Sequence, residues 1–212
     1  MIKAVIFDLD GTLLDSVEAM AEAAYNVGEE IGVKVNKEFV KSLIGKEPSD
    51  AIKLAFNVND EEKIKDIKDR WIKEALKLIV EEKKAKLLPN AIETLEWLKK
   101  KGIKIGIGSS LMRDLIKKFG EAYNFLHLID VYVGSDEVRC GKPAPDTFIE
   151  AMKRLNVTSK ETIIVGDAIY DVIGGKLSDA IVVLIDPKGI KNYEKWEFKP
   201  DFIIKDLSEL CT

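Results

Sequence analysis

Six short apolar runs punctuate the chain, and stretches of helical periodicity fill most of the intervals between them. Lys3–Phe7, Ile103–Gly108, Thr162–Val165 and Ala180–Ile185 are rich in β-branched and aliphatic residues and have the length of strands buried on both faces. Ile129–Val133 reads as a fifth strand and Phe202–Ile204 as a short sixth. Between them, Ala91–Lys101 places Ile92, Leu95 and Leu98 on one helical face, and Leu111–Ala122 and Asp146–Leu155 behave alike. Asp171–Leu177 is a shorter version of the same pattern. Strands alternating with helices predict an α/β fold, a doubly wound parallel sheet with helices on both faces.

One interval breaks the rhythm. After the first strand, the next helix–strand unit begins only at Pro89–Asn90. Strand–helix links in such folds run to roughly 2–6 residues, so this interval is not a bare loop. Val17–Ile31, Lys37–Leu43, Asp50–Phe56 and Glu61–Ile79 within it carry apolar residues at helical spacing. The pattern predicts a helical domain over 16–85 inserted into a core made of 1–15 and 86–212. Hinges are expected near Leu14–Ser16 and Lys84–Leu88.

Composition narrows the class. The chain has 212 residues, 46% hydrophobic and 33% charged, with a net charge of −4. That suits a soluble globular protein and argues against a general nucleic-acid binder, whose surface would be basic. Cys140 and Cys211 have neither metal-ligand nor disulfide spacing, which fits a reducing interior. The first apolar run is too short for a signal peptide or a membrane span. A cytoplasmic protein without a membrane partner is expected.

Asp8, Ser109 and Asp167 each follow an apolar strand run. In parallel α/β sheets, ligands bind at the carboxyl ends of the strands, so these residues are expected to converge. In Asp8-Leu9-Asp10-Gly11-Thr12 the two acids lie two apart on extended chain and point the same way. Crowded carboxylates are costly unless a cation or proton joins them. Oxygen ligands without His or Cys suit magnesium. Gly11 permits a tight turn whose N–H groups face an anion. Simpler roles fit other polar residues: Asp15 or Ser16, and Asp146, as helix caps, and His127, the one histidine, as a buried or interface residue.

Four segments, in order, carry a family likeness. The stretch from Asp8 to Ser16 resembles the opening motif of the haloacid dehalogenase superfamily, and Ile105–Ser110 its second motif, a strand ending in Ser or Thr. Gly141-Lys142-Pro143-Ala144-Pro145-Asp146 resembles the third, and Ile164–Asp171 the fourth. The resemblance spans the chain and implies a Rossmann-like core with a helical cap. It further implies that Asp8 attacks phosphorus and that Asp10 acts as acid and then base. Magnesium would be bound by Asp8, the Asp10 carbonyl and Asp167, with Asp171 in or just behind that shell. Ser109 would bind phosphoryl oxygens with backbone N–H groups of Leu9, Asp10 and Ser110, and Lys142 would offset their charge. Lys46, on a cap loop, would meet an anionic group of the substrate. Ala168 and the pair Ser178-Asp179 depart from the family pattern.

The implied activity is hydrolysis of small phosphorylated metabolites, by a monomer or homodimer resembling phosphoglycolate phosphatases. An acid at position 10 separates the chain from dehalogenases and phosphonate-cleaving relatives. Two alternatives stay open: a sugar phosphomutase resembling β-phosphoglucomutase, and a non-catalytic binding module. The mutases carry a histidine in the first cap helix where this chain has Met20.

Overall fold

The computed structural model describes residues 1–211. Its centre is a six-stranded, wholly parallel sheet. The strands are β1 (Ala4–Phe7), β4 (Lys104–Gly108), β5 (Val131–Val133), β6 (Thr162–Gly166), β7 (Ile181–Ile185) and β8 (Phe202–Ile204), in the order β5-β4-β1-β6-β7-β8. Two further strands, β2 (Leu14–Asp15) and β3 (Lys86–Leu87), form a separate antiparallel pair.

Alternation along β1 sorts the core. Val5 and Phe7 pack on one face with Leu95 and Leu98 of α5 (Ala91–Lys100) and Ile116 and Phe119 of α6 (Arg113–Ala122). Ala4 and Ile6 pack on the other with Phe148, Ala151 and Leu155 of α7 (Asp146–Leu155). Val172 of α8 (Ile169–Leu177) meets Val182 and Leu184 of β7. A strand buried on both faces has no polar alternation to offer, and β1 is apolar at all four positions.

The long interval is helical: α1 (Val17–Ile31), α2 (Lys37–Leu43), α3 (Pro48–Phe56) and α4 (Glu61–Leu76). The last continues into a π-turn at Lys77–Glu81, so the helix ends earlier than its apolar spacing suggests. Chain enters and leaves this insert through the β2–β3 pair, Leu14 opposite Leu87 and Asp15 opposite Lys86. Phe56 and Trp71 anchor its interior, their ring centres 6.4 Å apart. The expected strands and helices all form, with ends shifted by up to three residues.

Helix capping by Asp15 or Ser16 fails here, and so does burial of His127. Ser16 does sit at the N-terminus of α1, but its hydroxyl makes no cap bond there. Asp15 is exposed in β2. His127 lies exposed in the short turn Leu126–Leu128. Among the described residues no helix is long and apolar enough to cross a membrane.

Candidate active site

Sheet register brings the chemistry together. Phe7 lies opposite Ile107 on one side and Val165 on the other, so the chain beyond each strand emerges at one level. Asp8 follows β1, Ser109 follows β4 and Asp167 follows β6, at the carboxyl edge where adjacent connections diverge to opposite faces. The Asp8 N–H donates to the Val165 carbonyl at 2.8 Å, locking it to β6.

After Asp8 the chain turns back sharply. The N–H groups of Thr12, Leu13 and Leu14 all donate to the Leu9 carbonyl, and that of Gly11 to Leu14. Gly11 adopts φ 82°, and a Cβ there would lie 2.6 Å from the Asp167 carboxyl group. Glycine therefore lets the turn approach the neighbouring acid.

Carboxylate oxygens of Asp8, Asp167 and Asp171 lie within 4.8 Å of one another. Lys142, wholly buried, donates to Asp8 Oδ1 at 2.6 Å and to Asp171 Oδ1 at 2.7 Å. Burial alone would lower its pKa, but Asp171 and Asp8 outweigh that and push it up to about 12. Burial, then the charge of Asp171, raises the Asp8 pKa well above the ordinary carboxyl value, against the pull of Lys142. Burial also raises Asp167, partly opposed by Lys191.

Asp10 stands apart from that cluster. Burial pushes its pKa up to about 6, and a hydrogen bond from Ser16 holds it back. That bond, from the Ser16 hydroxyl to Asp10 Oδ1, is what the serine does in place of capping. Ser109 is buried, and its Oγ accepts from the Leu111 N–H at 3.1 Å. The Ser110 hydroxyl donates to the Gly45 carbonyl of the insert at 2.6 Å.

Asp171 serves two structures at once. Its Oδ2 accepts from the Ala168 N–H at 3.0 Å, capping α8, while Oδ1 holds Lys142. Asp146 is not the cap of α7; Pro145 takes that place, and Asp146 Oδ1 accepts from the Cys140 N–H in the preceding loop. Asp179, one of the departures from the family pattern, adopts φ 62°, the left-handed backbone that a glycine would favour.

The insert meets this edge of the sheet through the end of α2 and the chain that follows it, at 42–47. Tyr170 Oη donates to the Ser42 carbonyl at 3.2 Å, and the Glu47 N–H donates to the Lys142 carbonyl at 3.0 Å. Lys46 sits 5.4 Å from the centre of the Tyr170 ring and 3.9 Å from Asp50. A cavity of about 70 Å³ between insert and sheet is lined by Asp10, Lys46 and Ser110 and by a set of apolar side chains, Met20 among them.

Ser16 and Lys191 escaped sequence reasoning. The Lys191 ammonium donates to both the Asp167 carbonyl and its Oδ2, the latter at 2.8 Å. It comes from irregular chain between β7 and β8, where no periodicity marks it.

The donor set fits a hard divalent cation. Asp8 Oδ2 is buried with no hydrogen-bond partner, and an unpaired buried carboxylate oxygen is costly. Asp8 belongs to the all-oxygen cluster with Asp167 and Asp171, whose chemistry is that of magnesium sites. Both oxygens of Asp171, the third member of that cluster, accept from protein donors.

Comparisons with known proteins agree with this geometry. The chain is 27% identical to a pyrophosphatase PpaX of Oceanobacillus iheyensis, over 100% of this chain and 96% of that one. It is 27% identical to a phosphoglycolate phosphatase of Aquifex aeolicus, over 98% and 94%. A crystal structure of a hydrolase from Pseudomonas syringae superposes with a TM-score of 0.87 at 26% identity, covering 98% of this chain and 95% of that one. The family model for haloacid dehalogenase-like hydrolases matches residues 5–185, from the first residues of β1 to the last of β7 and across the whole insert, and the chain belongs to that family.

Proposed function

We propose that the protein is a magnesium-dependent phosphatase of small phosphate monoesters, working through an aspartyl-phosphate on Asp8. The observation that carries this reading is the state of that carboxylate. Lys142 fixes Oδ1, while Oδ2 is buried and unpaired, on a carboxylate that clusters with Asp167. One oxygen is oriented and the other left available, as an in-line nucleophile requires. The family and the names of its relatives, a pyrophosphatase and a phosphoglycolate phosphatase, point to phosphoryl hydrolysis.

In the first step an Asp8 oxygen bonds to phosphorus as the ester P–O bond breaks. Asp10 gives its proton to the departing oxygen. A carboxyl group with a pKa near 6 is suited to that exchange around neutral pH. In the second step water attacks phosphorus, Asp10 takes up its proton, and the Asp8–phosphorus link breaks. Ser109, with the N–H groups of Leu9, Asp10 and Ser110, would hold the phosphoryl oxygens. Lys142 offsets negative charge shared by nucleophile and phosphate. Asp8, the Asp10 carbonyl and Asp167 would hold the magnesium ion, with Asp171 behind them. When bound, the ion supplies positive charge that draws nucleophile and phosphate together.

On this reading, 16–85 is a cap domain on a core of 1–15 and 86–212, hinged at the β2–β3 pair, and the loop carrying Lys46 faces the substrate. The enzyme would be cytoplasmic, a monomer or homodimer. Met20 supports hydrolysis over phosphomutase chemistry, since its thioether lines the cavity beside Asp10 and carries no transferable proton. The test is release of inorganic phosphate from a panel of esters, with magnesium or with chelator, by the protein and by Asp8→Asn. Turnover is expected only with magnesium and intact Asp8. Turnover by Asp8→Asn near the parent rate would refute the mechanism.

A further inference from the structure

The cavity beside Asp10 states what kind of leaving group it was built for. This inference rests on the phosphatase reading, because Asp10 must touch whatever departs. Asp10 and Ser110 mark the end of the cavity nearest the reacting centre. The remaining wall is apolar: Met20, Ile52, Trp71 and Ala75 from the insert, with Leu111 and Met112 from the chain after β4. Two polar groups along it are already committed. The Trp71 indole N–H donates to the Met20 carbonyl at 2.9 Å, and the Ser110 hydroxyl to Gly45. Lys46 and Lys68 are the charged side chains that complete the lining besides Asp10.

A hydroxyl group set against the Met20, Ile52 and Trp71 wall would give up water without a hydrogen bond in return, and an anionic substituent would find partners at Lys46 and Lys68 alone of the charged lining. An apolar group would gain from the same transfer. We propose that the substrate is a phosphate monoester whose leaving group carries an apolar body, a short alkyl chain or a single ring, seated between the insert helices and the loop after β4. Ala75, nearly fully buried at the cavity wall, and Met112 set how much of that body fits.

The test uses n-alkyl phosphates from ethyl to hexyl, whose leaving groups differ little in basicity, with magnesium supplied. kcat/KM is expected to rise roughly fourfold per methylene, the worth of about 0.8 kcal/mol for each buried CH2, until the cavity is full. Ala75→Leu, which fills the space, should lower the hexyl-to-ethyl ratio tenfold or more. Met112→Ala should move the optimum to longer chains. A flat series in an enzyme that turns over 2-phosphoglycolate or pyrophosphate faster would overturn the inference and leave the phosphatase reading intact. Inert n-alkylphosphonates, titrated by calorimetry, separate the opposite failure. Kd tightening with chain length in a protein that hydrolyses nothing would keep the pocket and remove the catalysis.

Discussion

Lys142→Met tests the buried charge network most sharply. The substitution keeps much of the side-chain volume over the Phe148 ring, 4.7 Å away, and removes only the ammonium group. In the native protein that group lies 2.6 Å from Asp8 and 2.7 Å from Asp171, with no solvent access to the lysine. Its removal leaves two buried carboxylates facing each other. Breaking a buried pair from one side costs about 3–5 kcal/mol. The pH dependence has a definite sign. Asp8 has a pKa above its unfolded value, and Lys142 is what restrains it, so the variant's Asp8 rises further. A carboxyl group of raised pKa favours the folded state when protonated, and that advantage is lost as pH climbs from the unfolded to the folded value. The stability gap between variant and parent should therefore be wider at neutral pH than at mildly acidic pH. Urea denaturation without magnesium at both values measures it. A gap below about 1 kcal/mol near neutrality, or one that widens on acidification, would refute the reasoning.

Burial raises the Asp10 pKa to about 6, so kcat/KM for alkyl esters should fall about tenfold per pH unit above that value, and aryl esters, whose leaving groups need less protonation, should fall less. Identical limbs for both classes would count against Asp10 as the acid. Lys191→Ala should tighten magnesium binding about fivefold by calorimetry, the worth of a partly exposed ion pair of about 1 kcal/mol, because it frees Asp167 Oδ2; unchanged or weaker binding refutes this. Lys46→Ala should raise KM by about three- to tenfold for esters bearing a second anionic group, with kcat little altered. An unchanged KM across the panel would remove Lys46 from the substrate's surroundings.

Much of the fold was legible because buried parallel strands leave a strong mark. Ala4–Phe7 and Ile181–Ile185 are unbroken apolar runs, too short for a buried helix and rich in β-branched residues, as strands covered on both faces must be. The position of Asp8, Ser109 and Asp167 at the ends of such runs was legible for the same reason. The helices of the long interval were legible from its length and period. What escaped was set by tertiary geometry. Ser16 stands where a cap is favoured locally, but the sharp turn at Gly11 brings Asp10 back within reach of its hydroxyl, which donates to that carboxylate. Lys191 reaches Asp167 from irregular chain on a long flexible side chain, and no local pattern records such a reach. Asp171 is expected in or just behind the metal shell, and its two oxygens show that helix and Lys142 both claim it. The two-residue strands β2 and β3 are too short for any period to reveal.

The central claim is that the Asp8 carboxylate takes the phosphoryl group. Rapid quenching in acid during turnover with magnesium, followed by borohydride reduction and peptide mass mapping, reads this directly. Acyl phosphates are reduced to alcohols, so Asp8 should appear as homoserine, with a yield that follows substrate saturation and vanishes without magnesium. Phosphoryl transfer through another side chain, or turnover in which Asp8 stays unmodified at every quench time, would contradict it.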